Sequence, residues 1–167
     1  QSEDRLEKDL GLEDLQRDWR HFNNPDHSGS FSDDIRATLA NWDRHRQGKT
    51  SSEKPAVLIT VLKQTQRLNA AALLLADLKL AGVPALVIDD ESDQAGLNTK
   101  ARKNLLNGTT DESGTYESIV ALRSALPLHS YLQYTATPQA NLLLAVTDSL
   151  DPTFAKVISA GAGYTGG

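Results

Sequence analysis

The sequence contains no cysteine, which excludes disulfides and thiolate metal centres and makes a reducing, cytoplasmic setting the simpler expectation. No long apolar run and no charged, then apolar, leader suggests membrane insertion or export. Basic residues are in short supply, 17 Lys and Arg against 22 Asp and Glu. That balance argues against broad polyanion binding, although a local basic stripe could still touch phosphates. Methionine is also absent, the chain starts at Gln1, and it stops at Gly166-Gly167 directly after a predicted strand, so we expect a piece of a longer protein. What is present, 167 residues of which 39% are apolar, suffices for one compact domain with a real core.

Chemistry is most concentrated in Pro84-Ala-Leu-Val-Ile-Asp-Asp-Glu-Ser-Asp93, an apolar run ending in four carboxylates within five positions. Ala85 to Ile88 have the pattern of a strand buried on both faces, as in a parallel sheet covered by helices. Such sheets place ligands at their carboxyl edge, so Asp89, Asp90, Glu91 and Asp93 are expected where a substrate reaches them. That much negative charge in one place favours a cation over mutual repulsion. Phosphoanhydride hydrolysis needs one carboxylate to hold Mg²⁺ and a neighbour to orient or deprotonate the attacking water. Asp90 suits the first task, with Asp89 as a second metal candidate, and Glu91 suits the other. A strand end carrying solvated acids explains the same residues, and this segment alone leaves both open.

Upstream, Leu12, Leu15, Trp19 and Phe22 recur at helical spacing, and Asn23-Asn-Pro-Asp-His-Ser-Gly-Ser30 interrupts them with turn residues. Ser32 is placed to cap a second helix, with Asp33 and Asp34 in its first turn and Ile35, Leu39 and Trp42 on one face. Arg44 to Lys54 follows as a solvated linker, and no strand is expected before Pro55. From there Ala56 to Leu62 is a β-branched, apolar strand, Arg67 to Ala81 an alanine- and leucine-rich helix ended by Gly82, and Pro84 to Ile88 the next strand. Gln94 to Thr115 makes a long polar connection and Tyr116 to Leu126 a helix stopped by Pro127. Ser130 to Ala136 is a strand, a short helix follows Pro138, and Phe154 to Ser159 is the last strand. This alternation predicts an α/β domain over residues 55–167, with a parallel sheet flanked by helices, preceded by a helical segment and linker over residues 1–54.

Tyr134-Thr-Ala-Thr-Pro138 closes the strand that starts at Ser130. If that strand runs parallel beside Ala85 to Ile88, the Thr135 and Thr137 hydroxyls reach the edge that carries the acids. Taken together, the two segments resemble superfamily II helicase-like ATPases. Asp90-Glu-Ser-Asp93 is similar to their motif II, the DEAD box, and Thr135-Ala-Thr137 to their motif III, in the family's order and separation. Ile88-Asp-Asp-Glu-Ser-Asp-Gln-Ala95 with Asn98-Thr99, and Tyr134-Thr-Ala-Thr-Pro-Gln-Ala-Asn-Leu142, resemble the members that carry a Z1 domain and accompany bacterial restriction or phage-defence endonucleases. Gln1 to Leu6 is similar to the segment following motif Ia, and Val61-Leu-Lys-Gln64 through Leu68 to the next DNA-side motif, so the resemblance covers most of the chain. It implies a partial RecA-like, P-loop NTPase-like fold, part of the first lobe of a DNA-dependent ATPase with an endonuclease partner or fused nuclease domain. By the same resemblance Asp90 binds the Mg²⁺ of Mg·ATP, Glu91 activates water, and Asp93 links to Thr135 and Thr137 to couple hydrolysis to movement. Lys63 and Gln64 would face nucleic acid.

The chain departs from the family in lacking the phosphate-binding P-loop. Gly48-Lys49-Thr50 carries that loop's ending, but Asp43 stands where the leading glycine belongs and no strand precedes it. The family's loop lies upstream of the segment similar to Gln1 to Leu6, and its second lobe downstream of Gly167, so these residues alone are not expected to hydrolyse ATP. Gly161-Ala-Gly-Tyr-Thr-Gly166 fits the dinucleotide glycine pattern with no helix after it. Phe31 and Ala37 replace the glycine and the bidentate acid that a calcium loop starting at Asp26 would need. His21, His27, His45 and His129 have no paired metal spacing. Arg44, Arg46, Lys49 and Lys54, near Trp42, suit either a nucleic-acid backbone or a solvated linker. Two other functions compete for the acids. One is a non-catalytic protein- or DNA-interaction module with a vestigial acidic edge; the other is a metal-dependent nuclease, against which Asp93 stands where an acid-x-Lys ending needs its lysine.

Overall fold

The computed structural model of the chain describes residues 8, 19–45, 56–93, 114–137, 150–159, 161 and 163. Within them strands and helices alternate: β1 (Trp19–Asn23), α1 (Gly29–His45), β2 (Ala56–Thr60), α2 (Thr65–Asp77), β3 (Ala85–Asp89), α3 (Gly114–Ser124) and β4 (His129–Gln133). The architecture is mixed α/β. Its strands form two parallel pairs, β1 with β2 and β3 with β4. Register runs from Trp19 opposite Ala56 to Asn23 opposite Thr60 in the first pair, and from Ala85 opposite His129 to Asp89 opposite Gln133 in the second.

One apolar core joins the pairs. Phe22, Ile35, Leu74, Leu75, Leu78, Leu80 and Leu126 are buried together, and Val57 and Ile59 of β2 and Ala85 and Val87 of β3 pack on them. Helical periodicity explains which face of α1 takes part: Phe31, Ile35 and Leu39 follow one another at four-residue steps and all belong to this cluster. Phe31 meets Phe22 edge to face, with ring centroids 6.1 Å apart. Ile35 and Leu74 are each 1% exposed, and burying such a side chain contributes about 1.5–3 kcal/mol. On α2 the buried positions Leu68, Ala71, Ala72, Leu74 and Leu75 form a continuous stripe. Leu68 belongs to a second cluster with Tyr116, Ile119 and Leu150, where α2 meets α3. The two helices start close together: a Cβ added at Gly114 would lie 3.3 Å from the Thr65 side chain, so glycine suits this crossing. Arg36 of α1 clamps the end of α2 through Asp77 at 2.6 Å.

Several expectations need correction. Trp19 to Phe22 is strand, not helix. The spacing of Trp19 and Phe22 suits a helix face, but pairing with β2 satisfies the backbone while Phe22 enters the core. Leu12 and Leu15 lie outside the described residues. Helix α1 begins at Gly29, so Ser32 is not its cap, and Asp33 and Asp34 fall beyond its first turn. The Ser32 Oγ is instead buried without a hydrogen-bond partner. Helix α2 ends at Asp77 rather than near Gly82, because Lys79 already turns left-handed at φ 51°. Strand β3 is not covered on both faces: Leu86 and Ile88 are 63% and 60% exposed. Phe154 to Ser159 forms no strand. Arg44 and His45 are helical, and the rest of the expected linker, the residues after Pro138 expected as helix, and Gly48-Lys49-Thr50 lie outside the described residues. Among the described residues no helix is long and apolar enough to cross a membrane.

Candidate functional site

Strand β3 turns Ala85, Val87 and Asp89 toward the core by its two-residue period, which carries a carboxylate inward at the strand's end. Asp89 is only 9% exposed. A buried charge requires partners, and both of its oxygens have one. Lys63 Nζ lies 2.7 Å from Oδ1, and the Tyr131 hydroxyl donates to Oδ2 at 2.6 Å. Burial, reinforced by the negative Asp89, pushes the Tyr131 phenol far above its ordinary pKa and keeps it a donor. The Arg123 guanidinium lies 4.4 Å above the Tyr131 ring. Its Nε donates to His129 Nε2 at 3.3 Å, so the His129 Nδ1–H donates to the Leu126 carbonyl at 2.6 Å.

Past Asp89 the chains leaving β3 and β4 stay interlocked. The Tyr134 N–H donates to the Asp89 carbonyl at 2.8 Å, and the Ser92 N–H donates back to the Tyr134 carbonyl at 2.9 Å. Ser92 is fully buried by this exchange, at 0% exposed. Glu91 adopts φ 50°, a left-handed backbone that costs a side-chain-bearing residue about 1–2 kcal/mol. Its N–H donates to Asp90 Oδ1 at 3.0 Å and its carbonyl accepts from Lys63 Nζ at 3.1 Å. Asp93 is shared between two hydroxyls: Thr135 Oγ1 donates to Oδ1 at 2.6 Å and Thr137 Oγ1 donates to Oδ2. The Thr137 N–H in turn donates to Thr135 Oγ1 at 3.0 Å. These bonds, that from Thr135 first, hold the Asp93 carboxyl below the usual carboxylate range.

The parallel register of β3 and β4 thus brings Asp89, Asp90, Glu91, Asp93, Thr135 and Thr137 to one edge. Lys63 reaches the same edge from the loop after β2, with its ammonium on Asp89 and the Glu91 carbonyl. Gln64 stands apart, exposed at the start of α2. Tyr131 and Ser92 were not anticipated. Tyr131 had a partial signal, since a strand parallel to β3 must offer some side chain to Asp89, but its pairing with Val87 is a matter of register that local sequence does not carry.

No protein-family model, curated protein or solved structure matches this chain. Among the described residues no three His, Asp or Glu side chains are grouped to enclose a metal. Mg²⁺ in nucleotide hydrolases is held by one or two carboxylates with phosphates and water completing the shell. Asp90 meets that modest demand, being exposed and, among the described residues, engaged through the Glu91 N–H on Oδ1. Asp89, with both oxygens taken, is the poorer donor. An open cavity of about 420 Å³ lies beside β4, lined by residues including Arg123, Tyr131, Tyr134, Asp151, Phe154 and Lys156, and reaches none of Asp89, Asp90, Glu91 and Asp93.

Proposed function

We propose that this chain is part of the first RecA-like lobe of a cytoplasmic, DNA-dependent ATPase of the helicase-like superfamily II, serving a restriction or defence endonuclease as Z1-domain members do. The observation that carries the proposal is the Asp93 carboxylate bonded by both Thr135 and Thr137, the link between motifs II and III that the resemblance implies. Asp90 would hold Mg²⁺ at the strand edge, where the ion would supply charge neutralisation to the phosphates of ATP. Glu91, next in the turn, accepts the proton of the attacking water. Asp93 ties that turn to the segment after β4, so a change on one side is felt on the other. Exposed Gln64 is available to a nucleic-acid backbone, whereas Lys63 serves the acids. The phosphate-binding loop and the second lobe come from elsewhere in the intact gene product.

Glu91→Gln in the intact gene product tests the assignment. Turnover of Mg·ATP is expected to fall about 100-fold or more while nucleotide binding persists; unchanged turnover would remove Glu91 as the base. The alternative, a non-catalytic interaction module, draws support from the solvent-open apolar face at Leu86 and Ile88. It predicts that calorimetry on the same protein detects no binding of Mg·ATP.

A further inference from the structure

Lys63 occupies an unusual crossing point. It follows β2, and the turn that carries it is held on both sides: the Leu62 N–H donates to Asn24 Oδ1 at 2.8 Å, and the Gln64 N–H donates to the Leu62 carbonyl at 2.7 Å. The ammonium then bridges to the other strand pair, on Asp89 Oδ1 at 2.7 Å and on the Glu91 carbonyl at 3.1 Å. Its side chain is 22% exposed and that of Asp89 8%, so the pair is screened far less than a surface ion pair. Asp89 is itself fixed from the β4 side by Tyr131. The carbonyl that Lys63 holds belongs to the residue with the left-handed backbone, φ 50°. Glutamate has no intrinsic preference for that conformation, so an outside restraint must maintain it.

We infer that Lys63 is a positioning residue: it keeps Glu91 in its left-handed turn and thereby couples the β2–α2 loop to the carboxylate proposed above as the base. This rests on the ATPase assignment for its catalytic consequence, but the restraint itself is a property of the fold. Because α2 begins two residues later, at Thr65, a ligand that shifts the exposed start of that helix, such as a nucleic-acid strand, moves the lysine that sets the turn. Nucleic acid then stimulates hydrolysis through Lys63 without touching any acid. A lysine contacting nucleic acid directly would act differently, changing affinity for DNA and leaving the turn alone.

The test uses the intact gene product carrying Lys63→Met, Lys63→Arg and, as a control, Arg36→Met, which breaks the α1–α2 ion pair away from the acids. Two quantities are measured: steady-state Mg·ATP turnover with and without single-stranded DNA, and hydrogen exchange of the Ser92 amide. In Lys63→Met, kcat is expected to fall about 10- to 100-fold, as when a reacting group is misplaced, with KM for ATP within about twofold and stimulation by DNA lost. Exchange at Ser92 rises about tenfold or more, as the local opening becomes easier. Lys63→Arg recovers part of both, and Arg36→Met changes neither. Wild-type kcat together with wild-type Ser92 exchange in Lys63→Met overturns the inference, as does an equal fall of kcat in Arg36→Met. If Lys63→Met does not fold, loss of kcat and DNA stimulation in Lys63→Gln with their partial retention in Lys63→Arg supports the restraint, and loss of neither in Lys63→Gln overturns it. Absence of any Mg·ATP turnover in the wild type refutes the ATPase assignment instead, and Ser92 exchange in Lys63→Met then decides the restraint alone.

Discussion

The two strand pairs are built alike and end differently. Each is parallel, each is five residues long, and each leads into a turn whose second residue past the first strand, or first in the β1 case, is left-handed without being glycine: Asn24 at φ 45° and Glu91 at φ 50°. At the first pair the edge is closed by amide, imidazole and hydroxyl groups. Asn24 donates its N–H to the Thr60 carbonyl at 2.7 Å and accepts the Leu62 N–H, and His21 shares a 2.9 Å bond with the Thr60 hydroxyl. At the second pair the edge carries carboxylates, and a lysine, a tyrosine and two threonines hold them. Asparagine is at home in the left-handed region because its short amide bonds locally, and glutamate is not. The first edge is therefore made of residues that suit their backbone, while the second keeps a residue that does not. Strain retained beside clustered charge is what the proposed chemistry at this edge would account for.

Substitutions at the two left-handed positions sharpen the contrast. Asn24→Ala loses the bond to the Leu62 N–H and puts a poorer residue at positive φ, so chemical denaturation is expected to register a loss of about 2 kcal/mol. Glu91→Gly should do the opposite, raising stability by about 1 kcal/mol while removing the proposed base. Equal losses at both positions would erase the distinction between the edges.

A smaller effect separates the edges by pH. The hydroxyls of Thr135 and Thr137 depress the Asp93 carboxyl. Their contribution to stability is complete above the ordinary carboxylate pKa, about 3.9, and disappears as pH falls through the lower folded value. Acid melts of the wild type should therefore fall more steeply below about pH 4 than those of Asp93→Asn. Parallel curves would mean that the threonine bonds do not persist in solution.

How much of this was legible in sequence differs by residue. Helices α2 and α3 were visible because their apolar residues repeat at the helical period, and the acids and threonines because each follows an apolar run ended by polar residues. Their meeting at one edge needed only that β3 and β4 be parallel neighbours. Strand β1 was hidden because its aromatics are spaced as on a helix face, and only pairing with β2 overrides that local pattern. The open face at Leu86 and Ile88 was hidden because a leucine or isoleucine reads the same whether covered or not. The resemblance implies that Lys63 faces nucleic acid, whereas its reach to Asp89 depends on how the two pairs pack and not on any local pattern. The left-handed turn at Asn24 follows from Asn23-Asn-Pro25, whereas nothing in Asp90-Glu91-Ser92 announces the one at Glu91.

The central claim is that the acids after β3 and the threonines after β4 act as one unit in nucleotide hydrolysis. A double-mutant cycle on DNA-stimulated Mg·ATP turnover of the intact gene product, combining Asp93→Asn with Thr135→Val, measures this most directly. The predicted result is a strong coupling, with the double variant no slower than Asp93→Asn alone. Independent, additive losses, or turnover indifferent to both substitutions, would contradict it.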